Sequence, residues 1–437
     1  MGKFFVQNFG CRATQADGAA LESSLEARGL SHAGERRAAD LVVLNTCTVT
    51  VSADEDVRQT IRRVHRENPA ARILVTGCYA QRAPHELARM PGVEWVVGNS
   101  HKNAIPELIA IEPSGVPYHG NVHAGDIHVG DIFAQQAFLS APVEGAGGDR
   151  TRPNLKIQDG CNNRCSFCII PFVRGRSRGM PADEVVAQVG RLAARHREVV
   201  LTGINLGRWG REPGSALRLA GLLRRLLDET SIERLRLSSV EPMDFSDDLL
   251  ELMASSSRIA PHVHAPLQSG SDRILRRMHR KYRPRHYAER ILKARRLMPD
   301  AAIGADVMVG FPGETDADFE ESRRFIDQLP FTYLHVFTYS ERPGTRAAED
   351  PLTVPMTLRK ERNRVLRELG ERKNFEFRHL LVGRTLSAVT LHEPGAALTG
   401  NYLKVQLAWL REANLMADLR IGGLTKDGLR EAEPLSA

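Results

Sequence analysis

Short apolar runs alternate with helical periodicity along the first hundred residues. Lys3–Asn8, Asp40–Asn45, Arg72–Thr76 and Val93–Val97 read as strands, and Asp17–Arg28, Ala53–Glu67 and Ala83–Met90 as helices. Strands and helices alternating at this spacing predict a parallel sheet with helices on its faces. The pattern stops over residues 112–150, where Pro113, Pro117, Pro142 and the run Gly145-Ala146-Gly147-Gly148 mark a connecting segment. A second series begins near residue 154. Its strands are Leu155–Gln158, Glu198–Thr202, Arg234–Ser238, His262–Pro266, Ala302–Val309 and Leu334–Thr338, and a helical stretch follows each of the first five. Six such strands predict a partial (β/α)6 barrel rather than a closed eight-stranded one. Pro343 and Gly344 open a linker, Thr357–His379 reads as one long charged helix, and residues 380–433 break into short Gly-punctuated segments such as Leu403-Lys404-Val405-Gln406-Leu407.

The expected fold class is therefore α/β. A doubly wound parallel N-terminal domain spans 1–111, a linker 112–150 and the partial barrel 151–346. A linker and helix follow over 347–379, and a small C-terminal β-barrel domain over 380–437. Composition agrees with a globular protein: 42% hydrophobic and 26% charged residues over 437 positions argue against wholesale disorder. No apolar run approaches the roughly 18 residues of a membrane span. The first residues, Met1 to Asn8, turn polar too soon for a signal peptide. A soluble, cytoplasmic protein with no membrane partner is the expectation.

Six cysteines in a reducing compartment are poor disulfide candidates. They form two groups of three. Cys11, Cys47 and Cys78 each directly follow a strand, in Phe9-Gly10-Cys11, Asn45-Thr46-Cys47 and Thr76-Gly77-Cys78. Parallel strands point one way, so all three thiols fall at the carboxyl edge, where open α/β sheets bind ligands. Any one of them could be a plain core thiol; three equivalent positions argue for a site. Three thiolates without a fourth protein ligand fit an iron–sulfur cubane with one open iron better than structural zinc; a three-ligand catalytic zinc is the alternative. Cys161, Cys165 and Cys168 form a C-x3-C-x2-C loop after the first barrel strand, again three thiols and no fourth, which suits a [4Fe–4S] cluster with an exchangeable position.

That loop resembles the radical S-adenosylmethionine (SAM) enzymes. The resemblance implies SAM on the open iron, reductive cleavage to a 5′-deoxyadenosyl radical, and Phe167 beside the SAM adenine. It also implies SAM contacts from later strand ends: Gly203 of Thr202-Gly203, Glu241, Gln268 and Ser269 of Pro266-Leu267-Gln268-Ser269-Gly270, and Gly310 of Val309-Gly310-Phe311-Pro312-Gly313-Glu314. The three-cysteine domain, radical SAM domain and small β domain together are similar to the methylthiotransferases, whose last domain is a TRAM module. Asn45-Thr46-Cys47-Thr48-Val49-Thr50, Thr76-Gly77-Cys78-Tyr79-Ala80-Gln81 and Gln158-Asp159-Gly160-Cys161-Asn162-Asn163 resemble the branch acting on N6-threonylcarbamoyladenosine in tRNA. The resemblance implies methylthio insertion at C2 of that base, next to the anticodon. It implies two [4Fe–4S] clusters, on Cys11, Cys47 and Cys78 and on Cys161, Cys165 and Cys168, with SAM. Its partners would be a tRNA anticodon stem-loop, an electron donor such as flavodoxin or ferredoxin, and a sulfur source.

Charge adds one further expectation. Lys and Arg total 60 against 53 Asp and Glu, a net of +7. The stretch Arg273–Arg296 holds eleven Lys/Arg and one acid, Glu289. Arg276, Arg277, Arg280, Lys281 and Arg283 are read as contacts to RNA phosphates, with Arg164, Arg174, Arg176 and Arg178 near the cluster loop. A solvated face, or pairing with acids elsewhere on the chain, is the plainer alternative. His262 and His264, at i and i+2, are read as hydrogen-bonded barrel-interior histidines rather than metal ligands. The competing functions are methylthiolation of isopentenyladenosine or of a ribosomal protein aspartate, a cobalamin-dependent radical SAM methyltransferase, and a non-enzymatic iron–sulfur electron-transfer protein.

Overall fold

The computed structural model describes residues 2–109, 125–134, 138, 151–212 and 214–433. The N-terminal sheet contains β1 (Lys3–Asn8), β2 (Ser31–His32), β3 (Leu41–Thr46), β4 (Arg72–Gly77), β5 (Val93–Gly98) and β6 (Asp126–His128). Their order is β2-β1-β3-β4-β5-β6, all parallel. β3 is buried along its whole length because helices cover both faces. Val42 and Leu44 point into one core with Val57, Ile61 and Val75, while Leu41 and Val43 point into the other with Phe4, Leu21 and Leu25. A strand covered on both faces reads as a continuous apolar run, as Leu41-Val42-Val43-Leu44 does. The first core is closed by α2 (Val51–Glu67), capped by the Thr50 hydroxyl accepting from Ala53 N at 3.1 Å, and the second by α1 (Arg12–Glu26).

β6 departs from the sequence reading. It lies in the segment read as a linker, yet Asp126 and His128 pair with Trp95 and Val97 at the edge of the sheet. Three largely exposed residues carry no alternation from which a strand could be recognised. Most of the remaining linker, including Pro113, Pro117, Pro142 and Gly145–Gly148, falls outside the described residues.

The second series forms β7 (Asn154–Asp159), β8 (Arg178–Gly179), β9 (Glu198–Gly203), β10 (Arg234–Leu237), β11 (His262–His264), β12 (Ala302–Val309) and β13 (Tyr333–Thr338). β10, β9 and β7 run parallel, with β8 antiparallel on the edge; β11, β12 and β13 run parallel in a second group, joined to the first by the Leu235–Ile259 bridge. The result is the expected open six-stranded (β/α) barrel. Leu155, Ile157, Val199, Leu201, Leu235, Val263, Ala305 and Val307 face the helices in one large core. The alternate positions face the lumen, and these are polar: Lys156, Gln158, Glu198, Arg236, His262, His264 and Asp306. α1 packs against β7 and β9, so the N-terminal domain lies along the open barrel.

The helix Met356–His379 runs along β13 into the closed C-terminal barrel of β14 (Thr385–Thr390), β15 (Ala396–Thr399), β16 (Lys404–Gln406), β17 (Met416–Leu424) and β18 (Leu429–Glu431), in the order β14-β15-β16-β18-β17. This barrel docks under the strand starts of the larger one. Arg236, held by Glu198 at 2.7 Å, donates to the carbonyls of Thr399 and Gly400 at 3.0 and 2.9 Å, and Tyr402 stacks on His262 with 4.7 Å between ring centres. Among the described residues no helix is long and apolar enough to cross a membrane.

Gly77 ends β4 at φ +100°, ψ −158°, a conformation essentially confined to glycine. A Cβ there would lie 2.4 Å from the Thr46 carbonyl oxygen and 2.6 Å from its amide nitrogen. Gly77→Ala is therefore expected to destabilise the protein by at least about 1–3 kcal/mol, read as a lower urea midpoint. An unchanged midpoint would refute this account of the turn.

Candidate metal and cofactor centre

The ends of β1, β3 and β4 bring Cys11, Cys47 and Cys78 to one edge. Cys11 is the N-cap of α1 and is exposed; Cys47 and Cys78 are buried. Gly10 makes the approach possible: at φ +98°, a Cβ on it would sit 2.6 Å from Cys47 Cβ. Gly10 and Gly77 thus leave room for neighbouring strand ends to close on one another. The next strand end supplies Asn99, which donates to Cys78 Sγ at 3.6 Å and to the Val173 carbonyl at 2.8 Å.

Arg174 joins this edge to the barrel. It belongs to the helix Ile170–Arg174, directly after the C-x3-C-x2-C loop, and is fully buried. Its Nε donates to Cys78 Sγ at 3.3 Å, Nη1 to Asp159 at 3.0 Å and Nη2 to Asp17 at 3.0 Å. Lys156 bonds both carboxylates, and Lys102 reaches Asp17 at 3.1 Å. Burial opposes ionisation of Asp17, but Lys102, Lys156 and Arg174 outweigh it and hold the carboxyl well below its usual range. Burial likewise works against Arg174, whose charge is held by Cys78, Asp159 and Asp17. The reading of Arg174 as an RNA contact is therefore corrected: it is an internal ion-pair partner.

Cys161, Cys165 and Cys168 lie on the loop after β7. Asn163 N and Asn205 Nδ2 donate to Cys161 Sγ at 3.4 and 3.7 Å, and Arg280 Nη1 to Cys165 Sγ at 3.3 Å. Ser166 pins the loop to the segment before Arg280, donating from its amide to Met278 O and from its hydroxyl to Arg277 O. Each triad thus has one buried arginine donating to a sulfur. Burial, then the neighbouring thiols, pushes Cys47 and Cys168 up to about 12. Those two thiols are therefore protonated at neutral pH when bare, and loading a metal must displace their protons.

Both triads fit an iron–sulfur cubane. Neither set of three sulfurs closes to within 4.8 Å of one another, a span met among the described residues by His264, Asp306 and His335. A single zinc with sulfurs at about 2.3 Å needs a tighter set. The N–H donors to Cys78, Cys161 and Cys165 suit thiolates ligating a cluster, whose potential such bonds tune.

The SAM-contact expectations divide. Phe167 stands edge-on to Phe311 at 6.4 Å beside the loop, Gly203 ends β9 against Gln158, and Glu241 pairs with Arg280 at 2.5 Å. A small recess there is lined by Asn163, Cys165, Glu241 and Arg280. Gln268 adopts φ +64° in its turn. Ser269 and Gly310 are held by internal packing. The Ser269 hydroxyl is buried against Ser322, and Gly310 (φ +72°) is packed under Arg359, whose Cγ would lie 2.3 Å from an added Cβ.

The basic stretch is also corrected. Arg280 is buried on Glu241, Tyr282 and Cys165, so it cannot meet RNA phosphate. Arg277 pairs with Asp350 at 2.5 Å, Arg276 and Arg283 share Asp272, Arg273 pairs with Asp318, and Arg290 and Lys293 share Asp247. Arg276 and Lys281 are the exposed members of the expected contact set. The parts played by Asp17, Lys102 and Asn99 were not legible in the sequence, because their partners lie far along the chain.

Two family descriptions match: the Radical SAM superfamily over residues 155–326 and the Uncharacterized protein family UPF0004 over residues 3–98. The chain is 38% identical to the Threonylcarbamoyladenosine tRNA methylthiotransferase MtaB of Aquifex aeolicus, over 96% of this chain and 100% of that one. It is 36% identical to the protein of the same name from Bacillus subtilis, over 93% and 90%. It is 33% identical to a tRNA-2-methylthio-N(6)-dimethylallyladenosine synthase of Novosphingobium aromaticivorans, over 99% and 96%. Among solved structures, the radical SAM methyltransferase TsrM of Kitasatospora setae, with cobalamin and a [4Fe-4S] cluster bound, superposes with a TM-score of 0.56 at 17% identity, over 79% of this chain and 76% of that one. That likeness is one of fold alone.

Replacing Arg174 by Gln would leave Asp17 and Asp159 short of a buried cation and remove the donor to Cys78. Losing one partner of a buried ion pair costs about 3–5 kcal/mol, which denaturant unfolding should show. Arg174→Lys should lose less, keeping the charge without the fork. Equal stability of all three proteins would contradict the network's role.

Proposed function

The chain belongs to the radical SAM methylthiotransferase family, and from that premise we propose that it inserts a methylthio group at C2 of N6-threonylcarbamoyladenosine, next to the anticodon of tRNA. The observation that carries this reading is the pairing of two cysteine triads, one per domain, held together by Arg174, in a chain that matches relatives of that name over nearly its full length. When bound, SAM and the two [4Fe–4S] clusters supply the carbon radical that takes hydrogen from the strong aromatic C2–H bond, and the sulfur that replaces it.

The chain's own residues hold and orient. Cys161, Cys165 and Cys168 hold the cluster that takes SAM; Cys11, Cys47 and Cys78 hold the one that carries sulfur. Arg280 and Arg174 donate to a sulfur of each set and fix the loops that bear them. Tyr402 and Arg12, joined at 2.9 Å, tie the small barrel to the segment that follows Cys11. Phosphates of the anticodon stem-loop are met by the exposed cations Lys281 and Arg276, the latter also paired with Asp272. An electron donor such as flavodoxin or ferredoxin and a separate sulfur source complete the cycle, in the cytoplasm.

Cys47→Ala is expected to form 5′-deoxyadenosine from SAM and yet transfer no methylthio group to tRNA. Full methylthiolation by this variant would overturn the division of labour. Nucleoside mass spectrometry of tRNA from a deletion strain should show the threonylcarbamoyl base without its methylthio group. Loss of the group from isopentenyladenosine instead would overturn the substrate.

A further inference from the structure

The lumen face of β11–β13 carries a second set of chemical groups that neither cysteine triad uses. The Tyr333 hydroxyl lies 2.7 Å from His262 Nε2 and 2.8 Å from His264 Nδ1. His264 Nε2 and His335 Nδ1 each lie 3.1 Å from the same oxygen of Asp306. The set is built into the strands. Gly304 stands directly across from Tyr333, and a Cβ on it would fall 2.0 Å from the tyrosine ring. Glycine at that position is what allows the ring to lie over β12 and reach the histidines of β11.

The hydrogen bonds assign the protons. Asp306 is a carboxylate: burial would raise its pKa, but the bonds from His264 and His335 prevail. Both imidazoles therefore donate to it, and His335 carries its proton on Nδ1. On the neutral ring Nε2 is then the acceptor; it has no partner among the described residues, on a side chain half open to the lumen. Burial and the nearby Arg236 keep His262 neutral. Two residues further along β13, towards the carboxyl ends of the strands where the Cys161–Cys168 loop sits, Phe337 is 48% exposed on the same face. At the other end, His262 stacks on Tyr402, whose hydroxyl accepts from Arg12, the residue after Cys11. The row of groups thus runs from the side of one triad towards the other.

We propose that this face is the subsite for the polar N6 substituent of the target base: the adenine stacks on Phe337, and a hydroxyl or ureido N–H of the substituent donates to His335 Nε2. An unstacked base is read in this way, by stacking on an aromatic ring and hydrogen bonding at its edge. Asp306 is a positioning residue that fixes the His335 tautomer, and His264 and Tyr333 orient Asp306 in turn. The inference rests on the substrate reading above and adds the residues that would tell an acylated N6 from an apolar one. A site built to accept a hydrogen bond discriminates against a ligand lacking the donor, because its own buried polar groups go unpaired.

The test uses the full chain with both clusters and two tRNAs, one bearing threonylcarbamoyladenosine and one isopentenyladenosine. His335→Phe should lower kcat/KM on the first by about 10–100-fold, a loss of about 1.4–2.7 kcal/mol in transition-state binding, and should not lower it on the second. His335→Gln, which keeps an acceptor, should recover part of the loss. Thermal midpoint and iron content serve as folding checks. Should His335→Phe not fold, the preference of His335→Gln for a threonylcarbamoyl stem-loop over an unmodified one is measured by binding, and is expected to shrink. A wild-type enzyme active on the threonylcarbamoyl tRNA whose discrimination is unmoved by either variant would overturn the subsite alone. A wild-type enzyme active only on isopentenyladenosine would overturn the substrate reading and the subsite with it. A stoichiometric metal other than cluster iron that is lost with His335 would also overturn the proposal, since His264, Asp306 and His335 would then be its ligands.

Discussion

The structure depends on a set of charges buried where the N-terminal sheet meets the barrel. Asp17 from the first domain and Asp159 from the second share Lys156 and Arg174, and Asp17 also takes Lys102, all removed from water. Charges buried this deeply are tolerable only when closely paired. The pairing crosses the domain boundary: Lys156 and Arg174 of the second domain both reach Asp17 of the first. Arg178, 3.3 Å from Asp159, makes four cations against the two carboxylates, and Arg174 turns part of that positive excess towards Cys78. The same group of residues therefore joins the domains, sets where Arg174 lies, and prepares the sulfur edge for an anionic centre. Arg280 repeats the device at Cys165 with Glu241 as its carboxylate.

What the sequence disclosed follows from local rules. The strand runs and the cysteines at their ends were legible because side-chain periodicity and strand direction are properties of short segments. The open six-stranded barrel followed from the spacing of those segments, whereas the short C-terminal segments read only as a small β domain and its barrel form came from the family resemblance. Electrostatic partners were illegible. Arg273–Arg296 looks like a polyanion site because its acids, Asp247, Asp318, Asp350 and Glu241, lie outside the window. Arg174 looked like a surface cation for the same reason: Asp17 is 157 positions away. The packing of Ser269 on Ser322 and of Gly310 under Arg359 was equally illegible, because those partners lie about fifty positions away. His264, Asp306 and His335 come from three strands, and only register brings them together.

The C-terminal barrel would ordinarily be regarded as an appended RNA-binding module. Tyr402, held at φ +65°, instead reaches under the radical SAM barrel onto His262 and Arg12, and the carbonyls of Thr399 and Gly400 satisfy Arg236 inside the lumen. The module is a floor of the reaction chamber as well as a surface. Cutting the chain after the long helix would strip Arg236 of two acceptors and remove the Tyr402 contact to Arg12, the residue after Cys11. Any activity lost by such a truncated chain would measure the loosening of the lumen's polar contacts together with the weakening of RNA capture, and the two could be separated only by point changes at Tyr402 that leave the small barrel folded.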